Sequence, residues 1–137
     1  MTDAELKSFA ADWVLYWKAP EGSAAREQLG WVTGQEWKLI HYEPFTGWRL
    51  VLAINEMDST FEIQEVLAAG PLEDLLAKHG HEIIESIEDE ALKNPSFARL
   101  LGGVWQNQMS DEIWSRVQAV WDRSGWDGNP SSPCEAK

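Results

Sequence analysis

The residues best suited to chemistry stand in one short run. His79-Gly80-His81-Glu82, with Glu85 one helical turn beyond, holds two of the three histidines in the chain. His81 and Glu85 lie four residues apart and so share a helix face. Imidazole and carboxylate at that spacing are ligand types for zinc or manganese. A zincin has a second histidine where Glu85 stands, so a centre on His79, His81, Glu82 and Glu85 would need further ligands from elsewhere. The remaining histidine, His41, has no motif around it. The plainer roles are a favourable charge near a helix C-terminus for His79 and a helix start for His81. A small metal-assisted hydrolase is therefore the catalytic alternative. No GxSxG, P-loop, GxGxxG or CxxC is present. The many carboxylates include pairs, but no spacing singles one out as a glycosidase pair. No catalytic residue is assigned and no cofactor is expected.

Carboxylates are the second candidate. The 137 residues hold 23 acids against 11 Lys and Arg, a formal charge of −12. From Glu56 to Glu90 there are eleven acids and one base, Lys78. The remainder of the chain is nearly balanced. At about 100° per residue, Ile83, Ile84, Ile87 and Ala91 occupy one sector of a helix, and Glu82, Glu85 and Asp89 gather opposite. Like charges at these spacings repel by a few tenths of a kcal/mol, so a helix selected for stability alone would carry lysine there. Such a stripe either keeps the protein in solution or attracts a basic partner. Glu73, Asp74, Glu82, Glu85 and Asp89 are the residues expected to meet that partner. A third possibility is a nucleic-acid mimic, with rows of carboxylates in place of phosphates.

Elements that would position these groups are helical almost throughout. Thr2 and Glu5 form a capping box before Leu6, Phe9, Ala10, Trp13, Val14 and Trp17, and Pro20 ends that helix. Residues 20–34, with Pro20, Gly22, Gly30 and Gly34, read as a loop with at most one helical turn. A short piece begins at Trp37, and Pro44 opens a central helix containing Trp48, Val51 and Leu52. Its β-branched content makes 48–54 the best strand candidate, but the spacing favours helix. Ser59 and Glu62 suggest another capping box. Gly70 should end one helix, Pro71 restart the next, and Gly80 cap its end. Asn94-Pro95 and Ser110 start the last two helices, with Phe97, Leu100, Leu101, Val104, Trp105 and then Ile113, Trp114, Val117, Trp121 inward. Gly102-Gly103 within that pattern marks close packing or a local break. The expectation is an all-α domain over residues 1–123, an irregular bundle or short solenoid-like stack of about 6–8 short helices. Residues 124–137, rich in Gly, Pro and Ser, read as a flexible tail that holds Cys134 as an exposed thiol.

Composition excludes several classes. A single cysteine forms no internal disulfide. No apolar run reaches the ~18 residues of a membrane span, and no basic-then-apolar leader opens the chain, so a cytoplasmic address is expected. A pI near 4.5 argues against direct binding of nucleic acid, which rests on Lys and Arg. Of nine tryptophans, six fall on expected inward faces. Trp31, Trp37 and Trp126 do not, and an exposed tryptophan suits a binding anchor.

One combination of motifs resembles a known family. Ala69-Gly70-Pro71-Leu72-Glu73-Asp74-Leu75-Leu76 precedes His79-Gly80, then Ile84-x-x-Ile87-Glu88-x-x-Ala91, Asn94-Pro95-x-Phe97 and Leu101-Gly102-Gly103-Val104-Trp105. With Glu43-Pro44-x-x-x-Trp48 upstream, this is similar to a family of small bacterial helical proteins classed as a domain of unknown function, over roughly residues 36–122. The resemblance implies an all-helical bacterial domain and assigns no activity. The reading that follows from the residues is a protein-interaction module whose acidic face meets a basic protein, for example an immunity-type protein masking a cationic toxin nuclease.

Overall fold

The computed structural model describes residues 1–126. Cys134 and most of the expected tail lie outside the described residues. Helices run in the order α1 (Asp3–Lys18), α2 (Ala24–Gln28), α3 (Trp31–Tyr42), α4 (Pro44–Met57), α5 (Phe61–Leu67), a π-helical segment (Ala68–Leu72), α6 (Glu73–Lys93), α7 (Pro95–Leu101) and α8 (Asp111–Val120). The domain is all-α, bundle-like, with no strand among the described residues. The β-branched stretch 48–54 lies inside α4. No helix among the described residues is long and apolar enough to cross a membrane.

Local chemistry sets most boundaries. The Thr2–Glu5 box forms in both directions: Glu5 N–H donates to Thr2 Oγ1 at 3.1 Å and Thr2 N–H to Glu5 Oε1 at 2.7 Å. Asn94 and Ser110 cap α7 and α8 by accepting from Phe97 N–H and Ile113 N–H. The expected Ser59–Glu62 box is absent. Thr60 takes the cap position of α5 instead, because the Asp58 carboxylate, a stronger acceptor than a hydroxyl, takes both the N–H and the hydroxyl of Thr60. Asp58 also pairs with Lys18 at 2.6 Å, tying this turn to α1.

Three breaks expected from glycine and proline fall elsewhere. Helix α3 begins at Trp31 rather than Trp37 and runs through Gly34. Val32 is fully buried with Leu39 and Ile40, and that burial outweighs the ~1 kcal/mol of an interior glycine. At Gly70-Pro71 the chain does not stop. It widens into the π-helical segment and continues directly into α6. Proline lacks an N–H and its ring crowds the preceding turn of an α-helix; a wider turn accommodates both. Gly80 does not cap a helix either. The irregular residue is His79 (φ −134°, ψ 29°), and α6 bends there and goes on to Lys93. Gly80 is needed for proximity: a Cβ on it would lie 3.1–3.4 Å from three carbons of Ile113 in α8.

The core sits where α4 and α6 meet the other helices. Trp13, Leu50, Ile54, Leu67, Leu72, Leu75, Ile83, Ile87 and Phe97 are buried there, and Trp48 stands edge-on to Phe97 at 5.2 Å. Trp17, Trp114 and Trp121 pack partly against the same core. Trp105 does not: it is 70% exposed, because α7 ends at Leu101 and the helical register that aimed it inward ends with it. Gly102-Gly103 is both a break and a close contact. Asp122 N–H donates to Ala98 O at 2.9 Å and Trp126 Nε1–H to Arg99 O at 2.5 Å, laying residues 122–126 over both glycines. The chain thus stays packed three residues past the boundary expected at 123. A Cβ on Gly102 would overlap the Asp122 carbonyl, whereas one on Gly70 would meet nothing. Gly102→Ala should lower stability by about 2 kcal/mol and Gly70→Ala should change it by about 0.5 kcal/mol or less, read as denaturant midpoints.

Candidate functional site

The sequence-predicted acids separate into three environments. Glu82, Glu85 and Asp89 are exposed on the outer face of α6, opposite buried Ile83, Ile84 and Ile87. Glu85 and Asp89 have no hydrogen bond or ion pair among the described residues. Glu88, one position from Asp89, turns toward α8 and receives both Nε and Nη2 of Arg116, at 2.8 and 2.6 Å. This bidentate pair holds the Glu88 carboxyl below its ordinary range.

Glu73 is not on that face. It is buried at the junction of the π-helical segment and α6. Its two carboxylate oxygens accept from Trp105 N–H and Asn107 Nδ2, each at 3.0 Å. Asn107 has φ 48°, a left-handed conformation in which asparagine is enriched. Glu73 therefore fixes the connection from α7 to α8 and is not available to a partner. Asp74, the next residue, is part-buried between these environments.

The metal candidates are not assembled. His79 Nδ1 meets Glu82 Oε1 at 2.9 Å, while His81 is exposed. Among the described residues no group of three or more His, Cys, Asp or Glu side chains is arranged to hold a metal ion. The contact engages Glu82 with the bend in α6 and leaves Glu85 outside the pair.

A second cluster lies where α3 meets α6. Trp13 in α1 is fully buried, and its indole N–H donates to Glu36 Oε1 in α3 at 2.6 Å. Burial pushes the Glu36 carboxyl up to about 7; the Trp13 bond opposes this and the charge of Asp74 adds to it. Asp74 is likewise raised, by burial and by the charge of Glu73, with His41 and Lys78 pulling the other way. The end of α3, whose His41 lies close enough to act on Asp74, presents an aromatic shelf. Trp37 stacks on His41 at 4.1 Å and meets Tyr42 edge-on at 5.7 Å, and both Trp37 and Tyr42 are exposed. The His41 ring is fixed by a 2.9 Å contact from Nδ1 to the Trp37 carbonyl. Carboxylates beside aromatic faces attract ammonium and guanidinium groups through both charge and the ring quadrupole.

Sequence reading does not single out Glu36, although a signal exists. Val32, Glu36, Leu39 and Ile40 form one helical stripe, and a carboxylate in an otherwise apolar stripe needs a buried donor. The stripe emerges only when the helix starts at Trp31, ahead of Glu36.

A sequence model described as Family of unknown function (DUF6869) matches residues 19–125. The chain belongs to this family. The family's span includes Glu36, the aromatic shelf, the π-helical segment, the bent α6 and the Gly102–Gly103 contact, and it ends one residue before Trp126. No curated protein and no solved structure matches the chain.

Glu36 gives the fold a pH dependence of definite sign. Its folded pKa of about 7 lies above the ordinary 4.5. The protonated form therefore suits the fold, and stability is lost as pH rises through that interval. Glu36→Gln keeps an acceptor for Trp13 and removes the ionisation. It should be more stable than the wild type by about 2 kcal/mol near pH 8, with the gain vanishing by about pH 4.5, measured by thermal melts across pH. Glu73→Ala leaves Trp105 N–H and Asn107 without their acceptor and should lower stability by about 2–3 kcal/mol, measured by urea unfolding.

Proposed function

We propose that this protein is a non-catalytic interaction module whose acidic face binds a basic protein partner. The observation that carries the reading is the exposed stripe Glu82–Glu85–Asp89, which the fold leaves largely unneutralised. The nearby base Arg116 is engaged chiefly with Glu88 and feels Glu85 only weakly. Mutual repulsion along the stripe is a stability loss that the His79–Glu82 contact and the attraction of Glu85 to Arg116 offset only in part. A cationic partner turns the same charge into attraction and faster encounter.

Asp74 and the shelf of Trp37, His41 and Tyr42 support the same kind of partner. An exposed aromatic ring near a carboxylate suits an arginine better than a lysine, because guanidinium can stack and bond at once. Masking of a basic enzyme, as an immunity protein masks a nuclease, is one form this binding could take, and the excess charge would then compete with the enzyme's polyanionic substrate.

Affinity capture from the host lysate at low salt tests the reading and supplies the partner. Its affinity should fall steeply up to about 0.5 M salt, where screening shrinks to a few ångströms. Reversing Glu82, Glu85 and Asp89 together to lysine should slow association by about tenfold or more with a smaller change in dissociation. Salt-independent binding, or an unchanged association rate in the triple variant, would sink the proposal.

A further inference from the structure

Away from the stripe, α4, the α4–α5 turn and the α6–α7 junction border an open cleft of about 490 Å³. Its volume falls within the range of small-molecule sites, roughly 300–1,000 Å³. Leu52 and Ala53 form a short apolar wall, and Asn55, Glu56, Ser59, Glu90, Asn94 and Ser96 supply the polar lining. No lysine or arginine lines it. Glu82, Glu85 and Asp89 do not line it either, so the cleft is independent of the acidic stripe.

The inner part of its polar lining is held by a hydrogen-bond network. Asn55 is 4% exposed and Gln64, behind it, 2%. Gln64 Nε2 donates to Asn55 Oδ1 at 2.9 Å and to the Ser96 carbonyl at 3.2 Å, and Asn55 Nδ2 donates to Ser96 Oγ at 3.2 Å. These bonds join α4, α5 and α7 and set the orientation of the Asn55 amide. Among the described residues no acceptor meets the second hydrogen of Asn55 Nδ2 or the Ser96 hydroxyl hydrogen. Such a buried amide is held to a fixed geometry with part of its bonding capacity unused.

The acceptors in the lining are carboxylates. Glu56 has no hydrogen bond or ion pair among the described residues. Glu90 accepts from Asn94 Nδ2 at 2.9 Å and has only a long 3.7 Å pairing with the exposed Lys93. Surface pairs of that kind are weak and easily displaced. A ligand that satisfies the cleft must therefore carry a cation for Glu56 and Glu90, and a hydroxyl or carbonyl oxygen for Asn55 and Ser96.

We infer that the cleft between α4 and the α6–α7 junction is a binding site for a small organic cation bearing oxygen acceptors, of the amino-alcohol or amino-sugar class. Glu56 and Glu90 bind the ammonium, Asn55 and Ser96 bind the oxygens, and Leu52 and Ala53 cover the carbon skeleton. Neither charge nor hydroxyls alone satisfy the lining.

The test is a two-dimensional NMR titration of the intact protein with three probes: glucosamine (cation and hydroxyls), glucose (hydroxyls alone) and n-butylammonium (cation alone). Glucosamine should saturate, with an affinity on the order of millimolar, and shift the Asn55 and Ser96 amides and the Asn55 side-chain amide. Glucose and n-butylammonium should bind about tenfold more weakly. Glu56→Gln alters an exposed side chain, so its fold is retained, and it should weaken glucosamine about tenfold. The inference is overturned if glucosamine gives no saturable shift at these residues, if n-butylammonium or glucose matches it, or if Glu56→Gln binds it with full affinity.

Discussion

Everything in this domain is arranged around the need to bury one side of a single long helical run. From Phe61 to Lys93 the chain passes through α5, the π-helical segment and α6, broken only by the bend at His79, and its inner face, Ile63, Leu67, Leu72, Leu75, Leu76, Ile83, Ile84 and Ile87, is almost completely withdrawn from water. Each fully buried side chain of this kind contributes about 1.5–3 kcal/mol. No other helix here is long enough to bury that face alone. Helices α3, α4, α7 and α8 all pack on α6, and short helices of this kind are stable only through such contacts.

The same constraint explains the division among the acids. Along one helix Glu73 points inward, Glu88 sideways to α8, and Glu82, Glu85 and Asp89 outward. Of these five, the last three are left exposed. The charge of the segment is thus partly structural and partly free, a distinction that counting carboxylates does not make. Glu36 shows the reverse case: it lies outside the acidic segment, yet burial pushes its carboxyl up to about 7 where the apolar face of α3 carries it to Trp13.

Features governed by neighbours in sequence were legible. The Thr2–Glu5 box, the caps at Asn94 and Ser110, the α6 stripe and the all-α class all follow from periodicity and capping chemistry within a few residues. Features decided by distant partners were not. Glycine and proline at 70–71 looked like a stop, but burial on both sides carried the helix through. Trp105 looked like core because the register was extended across two glycines whose role is set by Asp122 and Trp126, some twenty residues away. The clasp of Glu73 on Trp105 and Asn107, and the Asn55–Gln64–Ser96 network, join residues more than thirty apart in sequence. No local pattern records such pairings.

The π-helical segment has a consequence for how the chain can vary in length. Each residue added to or removed from a helix rotates everything beyond it by about 100°. Ala68–Leu72 sits upstream of the whole of α6 and is continuous with it, so it acts as a phase-setter. Losing one residue there would swing the isoleucines out of the core and bring carboxylates toward it. An insertion would turn them the other way. The five residues Ala-Ala-Gly-Pro-Leu, together with the bend at His79, therefore determine which way the outer charge of α6 faces, although none of the five carries a charge. Loops elsewhere in the domain can change length and leave that direction alone; this segment cannot.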